Sequence, residues 1–383
     1  MSFKIPQEVI IKKYALVSSG AYIGRYGKNC LIIAGKHFAE SEDADILASA
    51  LSLKNISFET EIYGVGEPTV GYIDELTEKY RYDGASAVDC VIGVGGGSVL
   101  DAAKALAGML VNDGGVEKYL ELPGMSLMQN TPLPFVAVPT TAGTGAEATK
   151  NAVIKNTEKQ YKKSLRDERL MAKLVLIDAS LYTGAPEETT AHSGMDALTQ
   201  LIESFTSKKA TPETDEYCRQ GIKHIRYLAT AYSDGGNIAA REETALAAFK
   251  SGVAINNSGV GAVHALASPI GAHTGLPHGL ICGILLPHVM EINRDYALAK
   301  YAEAGRLLTG DSVSDDRKMA DMLINAVKSL AASFKIPSSF KSERLAALAE
   351  TIAKECAESA SMMSNPYPFD EKFLKKFIAK VAK

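Results

Sequence analysis

Two clusters in this chain combine residue types and spacings that suit chemistry. In GMDALTQLIE, Asp196 and Gln200 stand four apart, so they share one face of a helix. In GAVHALASPIGAHTGLPHG, His264, His273 and His278 fall within fifteen residues of a chain that has 7 histidines in all. A carboxylate and two imidazoles can hold a divalent transition metal, and an open position on that metal would polarise a carbonyl oxygen. Taken singly, each histidine reads as a structural residue satisfied by a hydrogen bond; their density favours a site. Pro277-His278-Gly279 is loop-like and suits an imidazole aimed into a cleft.

The second cluster is Gly95-Gly96-Gly97-Ser98, between an apolar run and a helical segment. Glycine lets backbone approach a ligand where a Cβ would collide. The helix that follows offers unpaired N–H groups and a positive dipole end, which suit a pyrophosphate. Ser98 either adds a hydroxyl donor or caps the helix. Asp101 and Lys104 lie on that helix, where the plain reading is an exposed, solvated face. Downstream, Pro139-Thr140-Thr141-Ala142-Gly143-Thr144-Gly145 follows an apolar strand and puts hydroxyls and backbone groups at a sheet's carboxyl edge, where ligands bind in doubly wound sheets. An ordinary polar loop is the alternative.

The elements that must position these residues alternate in the first half. KNCLIIAG, FETEIYG, VDCVIGVGGGS, FVAVPTTAG and KLVLID read as strands; HFAESEDADILASALSLKN, YIDELTEKYRYDGA and VLDAAKALAGMLVN read as helices. Strict succession of strand and helix implies a mostly parallel sheet covered on both faces. After about residue 183 strand-like alternation is nearly absent, and long amphipathic stretches such as GAPEETTAHSGMDALTQLIESFTS and REETALAAFKSGVAINNSG predict an all-α domain. The expected organisation is an α/β domain over 1–182 and a helical domain over 183–383, with a cofactor cleft between them.

Composition excludes several classes. With 383 residues, 46% hydrophobic and 22% charged, the chain exceeds one compact core. Its net charge of -4 is spread without like-charge blocks, so no nucleic-acid partner is expected. No apolar run is long enough to span a membrane, and the start MSFKIPQEVI lacks a signal-peptide pattern, so a cytoplasmic location is expected. The 5 cysteines include no C-x-x-C pair, which argues against a disulfide framework or a cysteine-based zinc site; Cys282 in LICGILLP reads as a buried core thiol.

With these motifs in hand, the sequence resembles the iron-containing (group III) alcohol dehydrogenase family over nearly its whole length. GGGSVLDAAKA, PTTAGTGAEAT, Lys162, GMDALTQLIE, GAVHALASPIGAHTGLPHG and the tail Asn365-Pro366 occur in the family's order. The resemblance implies a Rossmann-like N-terminal domain and a helical C-terminal domain, the dehydroquinate synthase-like architecture. It implies that Gly96, Gly97 and Ser98 hold a pyrophosphate, that Asp101, Thr140, Thr141, Thr144, Asn151 and Lys162 contact the rest of a dinucleotide, and that Asp196, His264 and His278 are metal ligands. Gln200 takes the fourth position, where the iron enzymes have histidine; it offers only a neutral carbonyl oxygen. Ser268 stands where many members carry another histidine.

The resemblance thus implies an NAD(P)H-dependent oxidoreductase that interconverts a small alcohol and its aldehyde or ketone, assisted by a divalent metal, iron or zinc, and acting as a homodimer. His273 is a candidate for passing the proton to solvent, because imidazole titrates near neutrality. The position that often carries an acidic residue in NAD-preferring members is Gly35, followed by Lys36, so NADPH is expected to bind at least as well as NADH. Three other readings remain: a maleylacetate-reductase-like enzyme without metal, a dehydroquinate-synthase-like lyase, disfavoured because AGTGAEAT replaces that family's segment, and a non-catalytic nucleotide-binding protein.

Overall fold

The computed structural model describes residues 3–383 other than 65, 83, 84 and 160. The chain forms two compact units, an α/β unit of Ile5–Thr141 and Gly145–Gly184, and a helical unit of Ala185–Lys383 with Ala142–Thr144 and the stretch ending at Lys4. The strands that matter here are β1 (Val9–Ile11), β2 (Asn29–Gly35), β3 (Ser57–Tyr63), β4 (Cys90–Gly95), β5 (Phe135–Pro139), β6 (Asn151–Asn156), β7 (Tyr161–Arg166) and β8 (Leu174–Ile177). Six of them form one sheet in the order β1-β8-β5-β4-β2-β3, every neighbour parallel. Leu31, Ile33, Val91, Ile92 and Val94 in its central strands are fully buried or nearly so. Strands covered on both faces must be apolar at successive positions, which is why KNCLIIAG and VDCVIGVG are runs rather than alternations.

The helices of the α/β unit that matter here are α1 (Glu42–Ser52), α2 (Val70–Tyr80) and α3 (Gly97–Met109). The chain leaves β2 outward to β3, then returns to place β4 on β2's other side, with Ala34 opposite Val94. That reversal opens a crevice beyond the carboxyl ends of β2 and β4, the place where open α/β sheets bind ligands. Gly35 and the glycine triplet stand at its two sides. A Cβ on Gly95 would come within 2.6 Å of Val99, so glycine here lets α3 pack close to its strand.

Helix α3 is anchored by one buried cation. Lys104, read above as part of an exposed face, is 0% exposed. The reason is a set of acceptors on the segment leading into β6: Lys104 Nζ donates to Ala146 O at 2.7 Å, Thr149 Oγ1 at 3.0 Å and Asn151 O at 2.8 Å. Asp101 Oδ1 lies 3.8 Å from the same nitrogen, while Asp101 Oδ2 accepts from the Val153 N–H at 3.0 Å. Burial pushes Asp101 up to about 6, against the pull of Lys104 and the Val153 N–H, and pushes Glu147 up to about 7. Burial likewise lowers Lys104, which Asp101 and Glu147 counteract.

Two helix readings need correction. The segment 37–55 is broken at Ser41, whose extended backbone (φ -102, ψ 161) precedes α1 and its acidic first turn. Helix α2 stops at Tyr80 because Arg81 turns extended and lays its guanidinium on the carbonyls of Met109 and Asn112, beyond the C-terminal end of α3. Cation on helix carbonyls is a favourable pairing. Residues 83 and 84, at the end of that helix reading, lie outside the described residues. The antiparallel hairpin β6–β7 was not read from sequence, although Ala152, Ile154 and Asn156 alternate as buried positions.

The helical unit contains only helices among the described residues. Those that carry the site are α4 (Glu187–Thr206), α5 (Ile238–Ser258), α6 (Ala262–Thr274), α7 (His278–Asn293) and α8 (Ala349–Ala357). Leu198, Leu201, Phe205, Leu266, Ile281 and Leu285 belong to its core, each buried side chain contributing about 1.5–3 kcal/mol. No helix among the described residues is long and apolar enough to cross a membrane.

The raised carboxyls give a signed expectation. Glu147 binds its proton more tightly folded than unfolded, so its contribution to stability is full below about 4.5 and is lost as pH rises through about 7. Relative to the parent chain, Glu147→Gln should therefore gain stability across that window, by roughly 3 kcal/mol. Urea unfolding of both proteins at several pH values checks this; parallel pH curves would refute it.

Candidate active site

In the α/β unit, the start of α3 faces the threonine loop. Gly96 is the N-cap residue and no side chain caps the helix, so Ser98 sits inside the first turn and its capping reading fails. The first backbone N–H groups therefore lack a side-chain acceptor at a positive dipole end. A Cβ on Gly96 would stand 3.1 Å from Thr141 Oγ1, filling the space between the glycine turn and the threonine loop. Thr140 N–H donates to Gly95 O at 3.0 Å, tying that loop to β4. This fits a dinucleotide pyrophosphate. Asn151 and Lys162 both lie on the β6–β7 hairpin, and Lys162 pairs with Glu67.

The helical unit gathers the second group. Asp196, Gln200 and Glu203 recur at four- and three-residue intervals along α4, so one face carries all three, each 3% exposed. His264 lies in the first turn of α6, and His278 opens α7 with Cys282 one turn later. Asp196, His264, His278 and Cys282 each offer a ligand atom, all within 4.8 Å of one another. His264 Nε2 is 3.2 Å, and His278 Nε2 3.6 Å, from Asp196 Oδ1. Ligands about 2.0–2.3 Å from a tetrahedral metal stand roughly 3.3–3.8 Å apart, so the donors fit a bound ion.

Three further residues hold this arrangement. Glu203 accepts from His264 Nδ1 at 2.6 Å through one oxygen and from the Val263 N–H at 2.6 Å through the other. It therefore caps α6 and also turns Nε2 of His264 toward Asp196. Gly279 lets the start of α7 touch α4, since a Cβ there would come within 2.1 Å of His192 O. Asn365, of the tail motif, accepts from the Ala262 N–H at 3.2 Å and is itself held by Asn293. Burial opposes the His264 imidazolium, but hydrogen bonds to Asp196 and Glu203 outweigh it and raise the ring to about 10. Burial also opposes the Asp196 carboxylate, yet His278, His264 and Gln200 hold it below its ordinary value.

Other predicted residues stand elsewhere. His273 pairs with Glu355 of α8 at 3.1 Å and is not one of the clustered ligands. Thr144 and Ser268 are exposed. Glu203 escaped sequence reasoning, and Pro277-His278-Gly279, read as loop-like, is instead the start of α7, with Pro277 as its N-cap and Gly279 set against α4. The signal for Glu203 was its place seven residues after Asp196 on the same helical face; nothing short of the fold marks the contact of Gly279 with α4.

Comparison with known proteins decides the family. Residues 6–179 match the family model described as iron-containing alcohol dehydrogenase, and residues 190–381 match the C-terminal model of the same family. The chain belongs to the iron-containing alcohol dehydrogenases. It is 35% identical over 333 residues to the probable alcohol dehydrogenase EutG of Escherichia coli, covering 86% of this chain and 82% of that one. With the NAD-dependent methanol dehydrogenase of Bacillus methanolicus it shares 30% identity over 95% of both chains. A crystal structure of 1,3-propanediol oxidoreductase superposes with a TM-score of 0.91 at 28% identity, covering 100% of this chain and 99% of the other. As an iron-containing alcohol dehydrogenase, the protein is an NAD(P)-dependent oxidoreductase that interconverts an alcohol and its carbonyl compound with a metal.

Because Glu203 orients the candidate ligand His264 without belonging to the cluster, Glu203→Gln should weaken metal binding by about 10–100-fold while leaving the fold assembled. A chelator competition titration measures this, with circular dichroism as the control; unchanged affinity would remove Glu203 from this role.

Proposed function

We propose that this alcohol dehydrogenase acts on short alcohols and their aldehydes at Asp196, His264 and His278. The observation that supports this reading is the convergence of a buried carboxylate and two imidazoles at ligand spacing. When bound, the nicotinamide exchanges hydride with the carbinol carbon and the metal polarises the substrate oxygen. The chain's own part is positioning. Glu203 fixes the tautomer and aim of His264, and Gly279 sets the start of α7 and hence His278. Gly96, Gly97 and Ser98 bind pyrophosphate at the start of α3, with Asp101, Thr140, Thr141, Thr144, Asn151 and Lys162 as the further dinucleotide contacts.

The relatives' names speak for small substrates: methanol in one, 1,3-propanediol in another. Following reduced-cofactor absorbance against short aldehydes and ketones should reveal turnover, and Asp196→Asn should lower it at least about 10²-fold. Cofactor binding without turnover on any of them would favour a non-catalytic nucleotide-binding protein instead.

At the end of β2, Gly35 presents no carboxylate to repel a 2′-phosphate, and Lys36 beside it is exposed. NADPH should bind at least as tightly as NADH in parallel fluorescence titrations; a strong NADH preference defeats this assignment. We also read the enzyme as a cytoplasmic homodimer. Support for pairing is the edge strand β1, where Ile11 is 46% exposed, and sedimentation equilibrium tests it. Support for the compartment is that all five thiols are buried and none forms a disulfide; fractionating cells of the source organism tests it, and recovery of the chain outside the cytoplasm rejects it.

A further inference from the structure

We propose that Cys282 is the fourth protein ligand of the metal at Asp196, His264 and His278, and that the site is thereby built for zinc in preference to iron. The inference rests on the reading of those three residues as a metal site, and it concerns which atom completes the set.

Position 200 does not supply that atom. Gln200 Oε1 accepts from the Ser251 hydroxyl at 2.7 Å, and Nε2 donates to Thr144 O at 3.3 Å and to the Asp196 carboxylate. The orientation of the amide is set by its neighbours. Thr144 O and the Asp196 carboxylate can only accept, so the face of Gln200 turned toward them must be the N–H₂ end. Flipping it would put a carbonyl oxygen against two other oxygens. Gln200 therefore steadies Asp196 by hydrogen bonding, and its one ligating atom points away, to Ser251 on α5.

Cys282 fills the gap from another helix. It stands four residues after His278 on α7, so the thiol and the imidazole share a face. Its Sγ lies 3.6 Å from His278 Nε2 and 3.8 Å from Asp196 Oδ1, within the spread of the other donors. Its side chain is 0% exposed, so water does not compete for the sulfur. On metal binding the thiol proton and the Nε2 proton of His264 both pass to solvent, while Nδ1–H stays hydrogen-bonded to Glu203, leaving one carboxylate, one thiolate and two neutral imidazoles. Two negative charges then face a dication in a buried pocket, which balances the charge that burial would otherwise penalise. Thiolate is a soft donor, and a site of sulfur, nitrogen and oxygen in tetrahedral array suits zinc.

Cobalt(II) reports the ligand directly, because a thiolate bound to it produces a sulfur-to-metal charge-transfer band in the near ultraviolet. Titrating the metal-free full chain with cobalt should develop that band and saturate at one equivalent. In Cys282→Ser and Cys282→Ala, cobalt should still bind but without the band, and zinc binding should weaken by about tenfold or more, since losing a ligand costs at least as much as losing a ligand's support. Preference for zinc over iron(II) under anaerobic competition should narrow in both variants. Stoichiometric cobalt without the band in the parent chain, or a band that survives both substitutions, overturns the assignment while leaving the three-residue metal site intact. If the parent and Asp196→Ala alike bind no cobalt, the metal reading falls and this inference falls with it.

Discussion

The site in the helical unit depends on one carboxylate that is not itself among the four clustered donors. Glu203 satisfies an N–H at the start of α6 and, with its second oxygen, the inner nitrogen of His264. Helix starts normally find a short polar side chain from the preceding residue. Here that residue is Gly261, which has none, and whose missing Cβ leaves room for Glu203 Oε1 and Asn365 Oδ1. The cap thus comes from a neighbouring helix, and the aim of His264 becomes a by-product of how two helices are joined.

The α/β unit uses the same economy with opposite charge. A buried ammonium is costly unless charge or hydrogen bonds surround it. Lys104 has three oxygen acceptors and a carboxylate 3.8 Å away, so the lysine earns its place by fixing the segment between the threonine loop and β6. In both units a buried charge sets the position of backbone that a ligand would later meet.

Much of this was legible beforehand, for identifiable reasons. Parallel strands covered on both faces must be apolar runs, so β2, β4, β5 and β8 announce themselves. Asp196, His264 and His278 are visible because rare residue types crowd into short stretches. What was hidden depends on tertiary partners. Nothing local distinguishes Lys104 from a solvated lysine, since its acceptors lie more than 40 positions away. Cys282 sits in an apolar run and is indeed buried, but a one-dimensional reading could not see that its sulfur faces Asp196. The hairpin β6–β7 carries Lys155, Lys162, Lys163 and Arg166, whose charges mask an alternating pattern that is plain once Ala152 and Ile154 are known to be buried.

The three acceptors of Lys104 have a dynamic consequence. Because they belong to a single stretch of chain, two carbonyls and the Thr149 hydroxyl, that stretch cannot peel away from α3 one contact at a time; releasing one leaves the cation under-solvated and strains the other two. Helix and segment should exchange their amide protons as one cooperative unit, opening together or not at all. A nucleotide arriving at the glycine turn would then meet a surface already rigid, and little ordering entropy would remain to be lost on binding.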